Sequence, residues 1–148
     1  MIIRKANLSD LNLIHQIEKR VFSDSWSKDS IKQELIKPSN ALIIISEING
    51  KVMGYFFAHI FKDEVHILNI AIDIPFQHQG LGKQLLDKIM KKYLKEADVF
   101  LEVKRTNFPA INLYLSFGFE EIDIRQGYYT DGQDAVIMSR KVNHHGVV

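Results

Sequence analysis

The residues best placed to do chemistry begin with the loop Gln77-His78-Gln79-Gly80-Leu81-Gly82-Lys83, set between an apolar run, Val65 to Ile72, and an amphipathic one, Leu81 to Leu94. A backbone that turns from strand to helix there aims free amides at an anion. Gly80 and Gly82 remove side chains that would block close approach, and the first helical turn offers unpaired N–H groups at the positive end of its dipole. This allows a cradle for a pyrophosphate, although the same residues also fit a plain strand-to-helix turn. Glu102 interrupts the apolar run Val99-Phe100-Leu101-Glu102-Val103. Alternation sets it opposite Leu101 and Val103, where a carboxylate needs either solvent or a task. Tyr114 lies in a helical run after Asn107, where its ring can pack but its hydroxyl must still find a partner.

What the chain lacks narrows the chemistry. It has no cysteine, which excludes disulfides, thiolate metal sites and a Cys nucleophile. No Ser occupies a nucleophile elbow, and the histidines have no metal-ligand spacing: His144-His145 falls in a tail, while His59 and His66 read as strand residues. No metal is expected. The 148 residues, 46% hydrophobic and 25% charged, suffice for one core, so residues 1–142 read as a single soluble domain and 143–148 as a frayed tail. A net charge of +1 gives no field for nucleic acid or an anionic membrane, and Lys88, Lys91, Lys92 and Lys95 read as a solvated helix face. The N-terminus runs straight into a strand without the apolar core of a signal peptide, and no apolar run reaches transmembrane length. The expected address is the cytoplasm. No surplus apolar helix face stands out, so a monomer is expected.

These residues must be positioned by a mixed set of elements. Ile2 to Lys5 reads as a strand, followed by a helix capped by Asn7 or Ser9 with Asp10 and carrying Leu11, Ile14, Ile17 and Val21 at helical spacing. A polar and aromatic connector from Phe22 leads to Ser27, which can cap a second helix ending near Ile36 before Pro38. Ala41 to Ile48 and Val52 to Phe61 form a hairpin about Asn49-Gly50, and Lys62-Asp63 turns the chain into the strand Val65 to Ile72. After the helix that follows the glycine loop comes a strand from Val99 to Val103. A helix capped by Asn107 or Thr106 then ends at Gly118, and Glu120 to Arg125 and Ala135 to Arg140 form two last strands. The order β-α-α-β-β-β-α-β-α-β-β implies an α/β fold of the α+β kind, a mixed sheet with helices on both faces.

Together, Asn69-Ile70-Ala71-Ile72-Asp73-Ile74-Pro75, Gln77-x-x-Gly80-x-Gly82, Leu101-Glu102-Val103 and Asn107-x-x-Ala110-x-x-Leu113-Tyr114-x-x-x-Gly118-Phe119 resemble the GNAT family of acetyl-CoA-dependent N-acetyltransferases. Trp26-Ser27 and Tyr128-Tyr129 with Asp134-Ala135 are similar to its RimI branch, the ribosomal-protein N-terminal alanine acetyltransferases. The resemblance implies a mostly antiparallel central sheet whose middle strand pair splays apart. It implies that backbone groups of Ile70, Ala71 and Ile72 pair with the pantetheine arm, and that Gln77, His78, Gln79, Gly80, Leu81, Gly82 and Lys83 hold the pyrophosphate, with Asn107 as a further contact. His78 stands where the family often carries Arg, which removes a full charge near neutral pH unless the imidazole is protonated.

Catalysis would fall to Glu102 as general base toward the incoming amine and to Tyr114 as proton donor to the leaving thiolate. Phe22, Trp26, Tyr128, Tyr129 and Asp134 would border the acceptor, although Asp134 can equally serve the turn around Gly132. The expected reaction is direct attack in a ternary complex with acetyl-CoA on the α-amine of a protein N-terminus, that of an alanine-starting ribosomal protein. No specific nucleic-acid or membrane partner is expected. Acetylation of lysine or a small amine, or a regulatory module that binds acetyl-CoA with little turnover, are the alternatives.

Overall fold

A computed structural model describes residues 1–36 and 40–142. The chain runs β1 (Ile2–Lys5), α1 (Leu11–Val21), α2 (Lys28–Ile36), β2 (Ala41–Ile48), β3 (Lys51–Phe61), β4 (Glu64–Ile72), α3 (Leu81–Tyr93), β5 (Asp98–Lys104), α4 (Phe108–Ser116), β6 (Glu120–Arg125) and β7 (Ala135–Arg140). Local chemistry sets the boundaries. Asn7 and Asp10 form a capping box on a short 3-10 turn that leads into α1, and Ser27 Oγ accepts the Ser30 N–H at 3.1 Å to start α2. Pro38 and the 143–148 tail lie outside the described residues. Asn49 and Gly50 both take positive φ, 52° and 79°, as a two-residue hairpin turn requires. Asn107 Oδ1 accepts the Ala110 N–H at 3.2 Å, and Gly118, at φ 86°, follows the end of α4.

The seven strands form one sheet in the order β1-β2-β3-β4-β5-β7-β6. Every neighbour is antiparallel except β4 with β5, whose parallel register runs from Glu64↔Asp98 to Ile67↔Leu101. Beyond that pair the two strands share no ladder, although β4 continues to Ile72 and β5 to Lys104. The parting has a local cause. Between β3 and β4 the register shifts from Phe57↔Asn69 to Ala58↔Ile67, so Leu68 is an extra residue. Such a bulge bends its strand, and it sits directly after the last β4–β5 pair.

Two apolar clusters, one on each face, hold the sheet. On one face Leu85, Leu86, Ile89 and Met90 of α3 and Ile111 and Tyr114 of α4 pack on Ile44, Phe56, Ile67, Leu101 and Met138. On the other, Ile14 and Ile17 of α1 and Ile31 of α2 pack on Ile43, Ile45, Tyr55, Phe57 and Ala71. Each fully buried Leu or Ile contributes roughly 1.5–3 kcal/mol. The expected layering is therefore present.

Gly54 in β3 is fixed by close approach rather than by a turn. A Cβ there would lie 2.2 Å from the Ala71 carbonyl oxygen of β4, a backbone atom that can yield only by moving its strand. Gly54→Ala is expected to lower stability by roughly 1–3 kcal/mol in urea denaturation. An unchanged midpoint would show that β4 gives way freely.

Candidate active site

The glycine loop is braced from behind. Asp73 Oδ1 accepts the Ile74 N–H at 2.9 Å, starting one 3-10 turn (Ile74–Phe76), and its carboxylate receives Arg20 of α1 through Nε at 3.1 Å and Nη2 at 2.8 Å. Gln77 Nε2 donates to the Ile72 carbonyl at 2.9 Å and Gln79 Nε2 to the Pro75 carbonyl at 3.1 Å. Both glutamines thus shape the loop with their side chains. His78 at φ 62° and Gly80 at φ 75° fold the chain into the left-handed region, and the first α-helical bond of α3 is Gln84 N–H to Gly80 O. The amides of Leu81, Gly82 and Lys83 are consequently left without a helical acceptor. A Cβ at Gly82 would meet only Ile72 Cγ1, at an ordinary 3.7 Å, so what glycine keeps open there is approach from outside.

Three clefts follow one another along β4. The first, beneath the loop, is lined by Phe22, Ile70, Ala71, Ile72, Gln77, His78, Gly80 and Gly82 among others. Through Phe22 and Ile70 it meets a second cleft of about 370 Å³ at the parting of β4 and β5, where Trp26, Asn69, Glu102, Asn107, Tyr114 and Tyr129 gather. Through Glu102 and Tyr129 that cleft meets a third, lined by His66, Phe100, Arg125 and Tyr128. Because the Ala71 carbonyl faces β3, strand alternation turns the backbone groups of Ile70 and Ile72 toward the opened side. The Ile72 carbonyl is already taken by Gln77.

Glu102 and Tyr114 reach the central cleft from opposite faces of the sheet. Leu101 and Val103 are buried under α3 and α4, so Glu102 points the other way, with its side chain 36% exposed and Arg125 Nη1 at 3.9 Å. Tyr114 rises from α4 with 5% exposure, and burial pushes its phenol up to about 12. Among the described residues no hydrogen bond engages its hydroxyl and no buried side-chain polar atom is left unpaired, so that oxygen keeps access to the cleft. Tyr129 packs at a right angle to Tyr128, 5.2 Å between centroids, under the Lys104 ammonium at 5.2 Å; burial, then Glu102, raises its pKa to about 12. Tyr128 is held above its ordinary pKa first by interaction with the Glu102 carboxylate.

Three residues expected at the site stand outside these clefts. Gln79 braces the loop, and Lys83 opens on a separate surface dip with Gln84 and Asp87. Asp134 accepts from Gly127 N–H at 2.9 Å and Arg105 Nη1 at 3.1 Å, closing the turn between β6 and β7. Conversely, sequence reasoning passed over Glu18. It is 2% exposed, and it falls on the same helical stripe as Ile14, Ile17 and Val21, which was the available signal. Among the described residues no group of His, Asp and Glu is arranged to hold a metal ion, and no helix is long and apolar enough to cross a membrane.

A sheet opened between two parallel strands, with a glycine loop and helix N-terminus at one end of the opening, defines an acyl-CoA-type transferase architecture. Residues 11–119 match the Acetyltransferase (GNAT) family, and the chain belongs to it; it is an acyltransferase. A Bacillus subtilis relative is 37% identical over 145 residues, 95% of each chain. The [ribosomal protein bS18]-alanine N-acetyltransferase of Escherichia coli K12 is 34% identical over 95% of this chain and 97% of its own. The crystal structure of the ribosomal-protein-S18-alanine N-acetyltransferase from Escherichia coli superposes with a TM-score of 0.89 at 32% identity, covering 99% of this chain and 98% of that one.

The Arg20–Asp73 pair makes the loop's foundation acid-sensitive. Arg20, then the Ile74 amide, hold the Asp73 carboxyl below its ordinary value against the opposing effect of burial. A depressed carboxyl pKa stabilises the fold above the unfolded value of about 3.9 and loses that contribution as pH falls through the folded value. Asp73→Asn is expected to destabilise the protein at pH 7, with the gap to wild type narrowing below about pH 5 in urea titrations. A gap constant with pH would mean that the pair contributes nothing.

Proposed function

We propose that this chain transfers the acetyl group of acetyl-CoA to the α-amine of a protein N-terminus, the acceptor being a ribosomal protein that begins with Ala. One observation carries the reading: the clefts join an anion cradle, an opened strand edge and an acid–base pair in one line. The amides at Leu81 to Lys83 hold the pyrophosphate, and Ile70 offers backbone groups to the pantetheine arm. Relatives of similar length support the acceptor class, among them the Escherichia coli enzyme above and a Sulfolobus acidocaldarius N-alpha-acetyltransferase 33% identical over 93% of this chain. With a ribosomal acceptor the enzyme works in the cytoplasm.

In the proposed reaction the amine nitrogen attacks the thioester carbonyl carbon, the C–N bond forms, and the C–S bond breaks as the tetrahedral intermediate collapses. Glu102 takes the proton that the amine sheds, directly or through water. An α-amine has a reference pKa of about 7.7–8.0, so the demand on that base is modest. Tyr114 gives its phenolic proton to the departing sulfur. A thiolate is the weaker base, with a reference thiol pKa of about 8.5, so this transfer needs the short, dry approach that the buried phenol provides. Phe22, Trp26, Tyr128 and Tyr129 border the acceptor, and Asn107 contacts acetyl-CoA.

Mass spectrometry of peptides incubated with enzyme and acetyl-CoA tests this reading. The panel contains free N-termini beginning with Ala, Ser, Met and Gly, and N-blocked peptides carrying Lys. Acetylation of Ala-type N-termini with blocked peptides untouched is expected; acetylated lysine would reassign the enzyme to side chains, and no product would remove the acceptor class. Tyr114→Phe should lower kcat by about 10²–10⁴-fold while calorimetric acetyl-CoA affinity changes by less than about twofold. An unimpaired rate would remove the proton-donor role.

A further inference from the structure

Glu18 is a buried carboxylate that the proposed chemistry does not use, and it is surrounded by donors from three separate segments. Its side chain accepts the Trp26 backbone N–H at 3.0 Å, Asn69 Nδ2 at 2.9 Å and the Tyr55 hydroxyl. Its own backbone carbonyl accepts the Phe22 N–H at 3.0 Å. One residue therefore fixes both ends of the connector 22–26, which forms one wall of the central cleft through Phe22, Ser23, Asp24 and Trp26. Through Asn69 the same carboxylate grips the opposite wall next to the Leu68 bulge, where β4 leaves β5. Tyr55 remains a donor at any working pH, since burial, reinforced by Glu18, pushes its phenol far above the ordinary range. Phe57 supports the arrangement from below, edge-on to Trp26 at 5.2 Å and to Tyr55 at 5.7 Å.

We infer that Glu18 is a positioning residue that sets the width of the acceptor cleft by tying the α1–α2 connector to β4. This rests on the acceptor reading above. The residue touches no reacting atom, and it lies away from the glycine loop. Disturbing it should therefore act on acceptor binding and leave acetyl-CoA binding alone. Glu18→Gln keeps the size but faces three donors with one acceptor oxygen and an NH2 group, so at least one bond fails.

Glu18→Gln is expected to raise KM for an Ala-starting peptide by about tenfold, with kcat and acetyl-CoA Kd within about twofold of wild type. Trp26 is the only tryptophan of the chain, so its emission reports the connector directly and should shift to the red. Tyr55→Phe, which removes one donor and leaves the carboxylate, should raise the same KM by about two- to threefold and serves if Glu18→Gln does not fold. An unchanged peptide KM or an equal loss of acetyl-CoA affinity would overturn the assignment. Failure of the wild type to acetylate any peptide N-terminus would instead overturn the acceptor reading, and Trp26 emission would still decide whether Glu18 holds the connector.

Discussion

The structure depends on where β4 and β5 stop pairing. Up to Ile67↔Leu101 they are ordinary parallel neighbours, with Val65, Ile67, Val99 and Leu101 buried in the layer of α3 and α4, and beyond it each keeps its outer partner while releasing the other. An unpaired strand edge inside a domain is costly, because backbone groups away from water need partners. Here the edge borders a cleft. The groups of Ile70 left facing the opening are therefore accessible to solvent or ligand, and Gln77 covers the Ile72 carbonyl with a side-chain amide. The bulge at Leu68 makes the parting an inherent feature of the β3–β4 register.

The two ends of the opening are then fixed by ion pairs and hydrogen bonds that cross between elements. Arg20 and Glu18 lie on the same helix, α1, two residues apart in sequence. Arg20 reaches Asp73 beneath the glycine loop, while Glu18 reaches Asn69 and Trp26 at the central cleft. The last turns of α1 thus hold both ends of the strand segment 69–73. A shift of that helix would be felt at the glycine loop and at the wall formed by the connector 22–26 together. Asp73 lies largely buried, and this allows its paired charge to count for more than an exposed pair would.

The elements were legible in the sequence wherever local chemistry decides them. Asn49-Gly50 demanded a hairpin, Asn107 and Gly118 bracketed α4, and the apolar spacing from Leu85 to Leu94 identified the face of α3 that meets the sheet. The glycine loop and the outward turn of Glu102 were also readable, because helix starts and strand alternation are short-range. Strand order was not: placing β7 between β5 and β6 depends on contacts across the whole chain. The parting was implied only by the family resemblance and not readable from the residues themselves, since Ile70 and Ile72 look like any buried strand residues and only the register with β3 exposes Leu68 as extra. Glu18 was hidden for a different reason. A Glu near a helix end usually faces water, and its burial follows from three donors that are distant or outside the helix in sequence.

In the proposed reaction Glu102 and Tyr114 face opposite electrostatic demands, and the sheet places them on its two faces. A carboxylate that must accept a proton and release it again benefits from contact with water, and the side chain of Glu102 is 36% exposed, with Arg125 Nη1 3.9 Å away. A phenol that must keep its proton until a thiolate appears benefits from burial, which disfavours the phenolate, and Tyr114 is enclosed by α4 and Phe119. Had both side chains come from one face, a single environment would have had to serve a solvated base and a dry acid. Because strand alternation turns Glu102 away from the layer that holds α4, the opening between β4 and β5 is the place where two such environments meet.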